Sequence, residues 1–556
     1  MKKHLLRVIP LGGLEEVGKN MTIFEYQGKI LIIDMGLQFP AADMLGIDFI
    51  IPNTTYLRGR EKDILGVFFS HGHYDHIGAI PYLISKLGNP PIFAAPLTKG
   101  IIMKRQEEFS RLAPLNIKEI KVEEKFHLPP FNIQNFAQNH NIPDGVGYVI
   151  ETPVGRIMHT GDFKFDYTPV LGKPTDISKI AALSSKGILL LMSDSTNAGM
   201  AGHSLSEKLI QENLEEIFEK SQGRLIVATF ASLLSRVQEL LTLSEKFGRK
   251  VLIDGRSMKA NIEIAISLSR LKVRSDTFIS PRELKHYHDK RILIICTGSQ
   301  GEGEASLMRL AHKDHQFISI KKGDTVILSS STVPGNEQAV QQLKDLLSWQ
   351  GAKIFHSQMM DIHASGHAQQ EELKTMISVV KPKFFMPIHG SHYMLEVHKD
   401  LALSLGVPEK NIIVGENGNI IEFTESRVKV SKEKAPANYV MVDGLGIGDV
   451  GEVVLRDRQA MAKDGMFVIV VIVNSSTGKV HQSPDIISRG FVYLRESKEL
   501  LHQTRKKVIR LVEEITLSKH TINWSFVKNK IKEQIGEFLF RKTRRRPMVL
   551  TVVIEV

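Results

Sequence analysis

The sequence predicts an α/β protein of more than one domain, and three observations carry that expectation. The chain has 556 residues, more than a single hydrophobic core usually holds. From about Ser204, apolar runs of strand length alternate with amphipathic helical stretches, the pattern of a parallel sheet between helices. Before that point, short β-rich runs end in loops of acid, histidine and glycine.

The elements follow in order. MKKHLLRVIPLGG reads as a first strand, and KILIIDMG is a strand ending in an acid and a glycine. ILGVFFS is a buried strand; the HGHYDHIG segment after it leads into the helical pattern AIPYLISKLG. VGYVIETPVGRIMHTGD is a hairpin around a Pro-Val-Gly turn, and GILLLMSD is another strand. SEKLIQENLEEIFEKS and SRVQELLTLSEKFG are helices, while RLIVATF, KVLIDG, RILIIC and DTVILSS are strands, several ending in Gly/Ser-rich loops. Ligands of such sheets bind beyond the carboxyl ends of the strands. Polar, lysine-rich KVSKEKAPAN, near 429–438, reads as a linker. The remainder is a small α/β unit with strands at VMVDG, FVIVVIV and MVLTVVIEV and two helical stretches between them.

Composition sets bounds. Hydrophobic residues make up 42% and charged residues 24%, ordinary for a globular protein. The longest apolar run, Phe467 to Val473, is far below the roughly 20 residues that span a bilayer, so it reads as a buried strand. The apolar stretch near the N-terminus is too short for a secretory segment. A cytoplasmic protein without a membrane partner is expected. The one cysteine, Cys296, excludes an intramolecular disulfide and a Cys-based zinc site, and reads as a small buried hydrophobe. The net charge of +11 suits a phosphate-rich partner.

The strongest chemical signal is HGHYDHIG at 71–78. His71 and His73 are two apart, so on an extended loop they point the same way. Asp75 and His76 follow on the first turn of a helix. The four side chains converge on two adjacent positions, and imidazole with carboxylate suits zinc or manganese.

This motif, in this place after a buried strand, resembles that of the metallo-β-lactamase superfamily. Asp34 in LIIDMG, His140 in QNHNIPDG, Asp162 in HTGDFKFD and His389 in FFMPIHGSH match the rest of that family's pattern. The resemblance implies that His71, His73, His140 and Asp162 hold one divalent metal. It gives the second to Asp75, His76, Asp162 and His389, with Asp34 orienting ligands from behind. Two such metals lower the pKa of a water and neutralise charge developing at phosphorus. Zn2+ is the expected ion, with Mn2+ or Mg2+ as alternatives. His159, His363 and His392 lie near these motifs and carry weaker cases as ligands.

The long insertion before His389 resembles the β-CASP domain of nucleic-acid-processing members. Asp194 in MSDSTN, His367 in HASGHA and His389 match its markers. An Asp–His pair suits general acid work. The resemblance therefore implies His367 and Asp194 as catalytic residues, with Asp75 beside them. Stretches from PLGGLEEVGKN to RRRPM, through LGIDFIIP, ATFAS, GRSM, CTGSQGE, PGNE, GIGDVG and SRGFVYLRES, resemble the ribonuclease J family along nearly the whole chain. A serine is usual where Asn141 follows His140, and an acid where Tyr74 stands, but neither change removes a ligand.

The fold this implies is a metallo-β-lactamase αββα sandwich over 1–203 and 352–430. A β-CASP α/β domain is inserted at 204–351, a linker spans 431–447, and a small C-terminal α/β domain covers 448–556. The function implied is a two-metal ribonuclease acting 5′ to 3′ on 5′-monophosphate ends, with endonuclease activity beside it. Phe230, Ala231 and Ser232, with His363, Ala364, Ser365, Gly366 and His367, form the expected phosphate pocket, since small side chains let amides and hydroxyls approach an anion. RNA is the partner, homodimers or homotetramers are expected, and other RNA-decay proteins are further candidates. RKTRRRP at 541–547 reads equally as an RNA contact or a solvated basic face, and Asp48 and Asp443 are candidates for a structural Ca2+.

Three rival readings remain at this stage. A DNA-directed or purely endonucleolytic β-CASP enzyme shares the chemistry and needs a substrate assay to separate. A small-molecule hydrolase is disfavoured by the insertion and by Asp194 with His367. A non-catalytic RNA-binding subunit is disfavoured by the intact ligand set.

Overall fold

A computed structural model describes residues 4–41, 43–109, 112–333, 335–444, 446–492, 497–516 and 522–556. The chain divides into two compact units, 1–38 with 51–439, and 39–50 with 440–556.

The first unit contains two sheets packed face to face. The eight-stranded sheet runs in the order Val428–Lys434, Asn419–Phe423, Leu6–Gly12, Met21–Tyr26, Lys29–Ile33, Ile64–Phe68, Ile92–Ala94, Ile117–Glu119. The six-stranded sheet runs Phe384–Ile388, Leu190–Asp194, Gly155–His159, Val146–Thr152, Phe131–Ala137, Lys125–Leu128. Phe24, Leu31 and Phe68 of the first meet Tyr148, Ile157 and Met192 of the second in one buried layer. Strand alternation sends Met158, Leu191 and Phe385 to the outer face, where helices Ile177–Ser184, Gln370–Val380 and His392–Ser404 cover them. Ile23, Ile32 and Val67 point away from the shared layer and are also buried. This is the expected sandwich.

The insertion carries a parallel five-stranded sheet in the order Lys250–Asp254, Ile292–Cys296, Leu225–Ala228, Thr325–Leu328, Lys353–His356. Its last strand lies beyond the expected end at 351, because residues 353–356 pair in register with 325–328. Cys296 is buried in the central strands, as expected.

The linker expectation is corrected. Residues Val428–Lys434 form an edge strand on Asn419–Phe423, with Val430 opposite Ile421. A lysine-rich strand at a sheet edge keeps its charges in water and discourages further pairing, so its composition imitates a linker.

In the second unit, Asp48 N donates to Val442 O at 2.9 Å, so the 39–50 excursion belongs with 440–556, and Val440–Asp443 is already a strand there. That unit therefore begins before the expected 448. Its sheet runs Asp485–Arg489, Met466–Val473, Met548–Glu555. Phe467, Ile469, Val471 and Val473 pack on helices Lys498–Thr516 and Trp524–Thr543. The alternate positions Val468, Val470 and Ile472 are only half-buried, so this strand has one buried face rather than two. Residues 493–496 of SRGFVYLRES and Pro334 of PGNE lie outside the described residues.

Candidate metal centre

Parallel strands bring the site together. Lys29–Ile33 and Ile64–Phe68 are parallel neighbours, and they deliver Asp34 and the 71–76 loop. Gly155–His159, Leu190–Asp194 and Phe384–Ile388 are also parallel and adjacent, and they deliver Asp162, Asp194 and His389. Asp34 and His389 stand at φ of 62° and 54°, a left-handed conformation that non-glycine residues adopt at a cost. Gly36 packs so closely on the same loop that a Cβ there would sit 1.6 Å from Asp75 O.

Three groups of donor atoms lie within 4.8 Å of one another: His71, His73, His140 and Asp162; Asp75, His76, Asp162 and His389; and Asp162, Asp194, His367 and His389. The first two are the donor sets read from the sequence, and Asp162 is common to all three.

Hydrogen bonds behind the donors set their direction. Asp34 Oδ2 lies 2.7 Å from His76 Nδ1, and the carboxylate accepts from Ser70 N at 2.8 Å and Ser70 Oγ at 2.9 Å. Ser70 Oγ also reaches His71 Nδ1 at 3.0 Å. His140 Nδ1 sits 2.6 Å from Gly366 O, so its Nδ1–H donates there and Nε2 faces the centre. Gly366 is needed for this approach, since a Cβ there would meet His140 Cε1 at 2.5 Å. His76 Nε2 is 3.2 Å from Asp162 Oδ2, and His389 Nδ1 is 3.2 Å from Asp162 Oδ1. His367 Nδ1 is 2.8 Å from Asp194 Oδ2.

The electrostatics fit cations. Four carboxylates, of Asp34, Asp75, Asp162 and Asp194, cluster here, and the ionisable partners paired with them are imidazoles. Burial would push the Asp162 carboxyl up, but the His389 and His76 cations outweigh it and hold it well below the usual range. Burial lowers His76 and His389, yet the surrounding carboxylates raise both, His389 to about 10. Burial, with neighbouring imidazoles, pushes His71 and His140 well below the ordinary histidine value, and burial takes His73 to about 4. These three are therefore neutral and have lone pairs free to ligate. His389 Nε2 is buried without a hydrogen bond although Asp75 Oδ2 is 3.3 Å away. An orphaned imidazole nitrogen among carboxylates is what a cation ligand looks like before its ion is bound.

The other site expectations are placed as follows. His159 accepts from Gly161 N at 3.1 Å and belongs to none of the three donor groups. His392 is exposed and pairs with Glu15 at 3.3 Å. His363 lies outside the donor groups, and burial beside Arg236 takes it to about 3. Ser365 Oγ accepts from Asn197 Nδ2 at 2.8 Å and from His367 N at 3.2 Å, which leaves its own proton free. Phe230, Ala231 and Ser232 form a half-buried turn before helix Leu234–Lys246, with Ala231 O held by Asn261 Nδ2 at 3.0 Å. At the two residues read as candidates for a structural Ca2+, Asp443 Oδ2 pairs with Arg458 Nη2 at 2.5 Å, and Asp48 Oδ2 accepts from Gly444 N at 2.7 Å. In the basic run at 541–547, Arg545 Nη1 donates to Phe491 O at 3.0 Å and Arg546 lies over the Phe540 ring, so two of its arginines serve local structure.

Sequence reading missed Thr196 and Asn197. Thr196 Oγ1 donates to Asp194 Oδ1 at 2.8 Å and contacts His389 Nδ1 at 3.1 Å. Asn197 Nδ2 ties Ser365 Oγ and His367 O to the Asp194 strand end. Their signal was their place in SDSTN, directly after a recognised acid.

Family models match four segments: the metallo-beta-lactamase superfamily at 14–198, the ribonuclease J beta-CASP domain at 222–347, the Zn-dependent metallo-hydrolase RNA specificity domain at 356–414 and the ribonuclease J C-terminal domain at 453–556. Ribonuclease J 1 of Streptococcus pyogenes is 40% identical over 554 residues, covering 100% of this chain and 98% of that protein. Ribonuclease J of Thermus thermophilus is 39% identical, covering 99% and 95%, and ribonuclease J2 of Bacillus subtilis is 36% identical, covering 99% of each. A crystal structure of an Enterococcus faecalis protein of unknown function shares the fold, with a TM-score of 0.56 and 16% identity over 77% of this chain and 100% of that one. The identity, running over nearly the full length of these relatives, places this chain in the ribonuclease J family.

Proposed function

We propose that this chain is a metal-dependent ribonuclease that hydrolyses phosphodiesters at the centre built on Asp162 and trims RNA 5′ to 3′ from 5′-monophosphate ends. The observation that carries the reading is one carboxylate, Asp162, common to two four-residue donor sets, with the His367–Asp194 pair against it. His71, His73, His140 and Asp162 would hold one divalent ion, and Asp75, His76, Asp162 and His389 the other. Zn2+ fits the imidazole-rich sets best. Bound there, the ions supply Lewis-acid charge for attack of water on phosphorus.

The protein's own groups do the rest. As the water oxygen bonds to phosphorus, the P–O3′ bond breaks. Burial lowers His367, but Asp194 raises it further and keeps its proton available. With Nδ1 on Asp194, Nε2 is the atom that passes a proton to the departing O3′. Asp75, 3.3 Å from His389 Nε2, would serve in the same donor set as that histidine. Ser365, with its free hydroxyl proton, and the 230–232 turn would receive the 5′-phosphate. A centre this close to that pocket also allows endonucleolytic cuts when RNA threads past it.

RNA is the partner this chemistry serves, and a cytoplasmic location suits it. No described helix is long and apolar enough to cross a membrane. Homodimer or homotetramer formation has a candidate surface in the second unit, where Ile487, Leu550, Val552 and Ile554 lie exposed on one sheet face. The test of function is digestion of a 5′-monophosphorylated RNA labelled at each end, with the matching DNA as control. Shortening from the labelled 5′ end of RNA alone is expected. Equal cleavage of DNA, or loss from the 3′ end, would overturn the reading.

A further inference from the structure

We infer that Arg236 is a positioning residue that sets the spacing between the two loops of the proposed 5′-phosphate pocket, an inference that rests on that pocket being the 230–232 and 363–367 loops. Arg236 is the largest fully buried side chain among the described residues. It stands on the first turn of helix Leu234–Lys246, directly after the 230–232 turn. Its Nη1 donates to Ile362 O, the carbonyl that opens the 363–367 loop, and to Ser329 Oγ. Ser329 Oγ donates to the same carbonyl at 2.7 Å. Two loops more than a hundred residues apart are thus joined through one guanidinium.

The remaining donors of Arg236 keep it in place. Nη2 pairs with Glu207 at 2.9 Å and Nε with Glu239 at 2.7 Å. Glu207 also lies 3.4 Å from Lys164 Nζ, which is 3.3 Å from Asp166. Burial, with Glu207 beside it, pushes the Glu239 carboxyl well up. Arg236 and Lys164 face Glu207 and Asp166 in the rest of the cluster. Lys164 stands two residues after Asp162, so this buried network runs from the bridging carboxylate's strand end to the helix behind the 230–232 turn. A buried ion pair of this kind is weak evidence for stability and better suited to fixing one arrangement. Elsewhere the 362–368 segment is held by Asn197 on Ser365 and His367, Asp194 on His367, His140 on Gly366, and the Phe163 carbonyl on Ala368 N at 2.6 Å.

The test compares wild type with Arg236→Lys, which keeps the charge but loses the planar fork, and with Ser329→Ala, which removes only the hydroxyl on Ile362 O. Glu239→Gln serves as a control. Three quantities are read: the rate ratio for 5′-monophosphate over 5′-hydroxyl RNA, hydrolysis of bis(p-nitrophenyl) phosphate by the same metal-loaded preparation, and hydrogen exchange of peptides covering 229–233 and 362–368. Arg236→Lys should lower the 5′-end preference about tenfold or more through KM, as loss of a charge-assisted hydrogen bond would. The small diester should be hydrolysed at nearly the wild-type rate, and both peptides should exchange faster. Ser329→Ala should shift the same readouts less, and Glu239→Gln should leave them near wild type. Unchanged exchange in both Arg236→Lys and Ser329→Ala would overturn the inference, as would diester hydrolysis falling in parallel with RNA cleavage. Faster exchange in a protein whose wild type ignores the 5′ end would instead overturn the reading of the pocket and leave the tie standing.

Discussion

His367 Nδ1 lies 2.8 Å from Asp194 Oδ2, across 173 residues of sequence, while its distance to Asp162 Oδ2 is 4.0 Å. The carboxylate that raises the imidazole most, Asp194, is therefore distinct from the one shared by both donor sets, Asp162, which raises it less. Removing His367 should cost turnover without emptying the centre. His367→Ala is expected to keep its metal content and RNA affinity while losing about 10²- to 10⁴-fold in kcat. Asp194→Asn should fall in the same range, and the double variant should be no slower than the worse single one, because the two act as a unit. Single-turnover cleavage at a wild-type rate in His367→Ala would remove it from the reaction.

Metal content follows from the sharing of Asp162. Two divalent ions per chain are expected by elemental analysis after reloading. Asp162→Ala should lose both, and His71→Ala should mainly weaken one. Exhaustive chelation should abolish RNA cleavage, and re-addition of Zn2+ or Mn2+ should restore it. A fully active protein with one ion per chain would contradict the two-set arrangement.

The proposed 5′-phosphate pocket predicts a preference among RNA ends. Initial rates at fixed salt should be highest for 5′-monophosphate RNA, because a 5′-hydroxyl leaves the donors without an anion and a triphosphate brings additional charge and bulk. Ser365→Ala should narrow that preference by no more than about 1.5–3 kcal/mol, the worth of one hydrogen bond to a charged group. Higher salt should weaken binding of all three RNAs. Equal rates on the three ends would remove the exonuclease assignment and leave the metal centre as it is.

His398 gives a stability prediction away from catalysis. It is fully buried against Phe385, and burial takes it to about 3, against partial opposition from Asp194. In the unfolded chain it titrates at the ordinary value. The unfolded state thus binds the extra proton first as pH falls, and stability is lost from about pH 6.5 downward at up to about 1.4 kcal/mol per pH unit. Above that range the group costs nothing. His398→Leu should therefore show a shallower fall in Tm than wild type between about pH 6.5 and 4.5, both measured after chelation. Parallel curves would mean that His398 is not held neutral.

Much of the centre was legible because its chemistry is local. His71, His73, Asp75 and His76 fall within six consecutive positions, and each remaining donor follows an apolar strand that could be recognised by itself. What could not be read is what depends on strand neighbours. Ser70, Thr196 and Asn197 are ordinary small polar residues until Asp34, His389 and Ser365 are brought against them. Arg236 looks like one charge on an amphipathic helix, and nothing local says that it faces inward. The lysine-rich edge strand at 428–434 and the 39–50 excursion misled for the same reason: pairing partners, not composition, decide where such segments lie.

On the proposed function, the bond from His140 Nδ1 to the Gly366 carbonyl would make ion loading and RNA-end capture thermodynamic partners. An ion on the far nitrogen of that ring would polarise the N–H and firm its hold on the loop. Linkage then requires that a captured RNA end tighten the ion by the same factor. A chain starved of metal would grip RNA ends less well and release them, rather than occlude transcripts it could not cut.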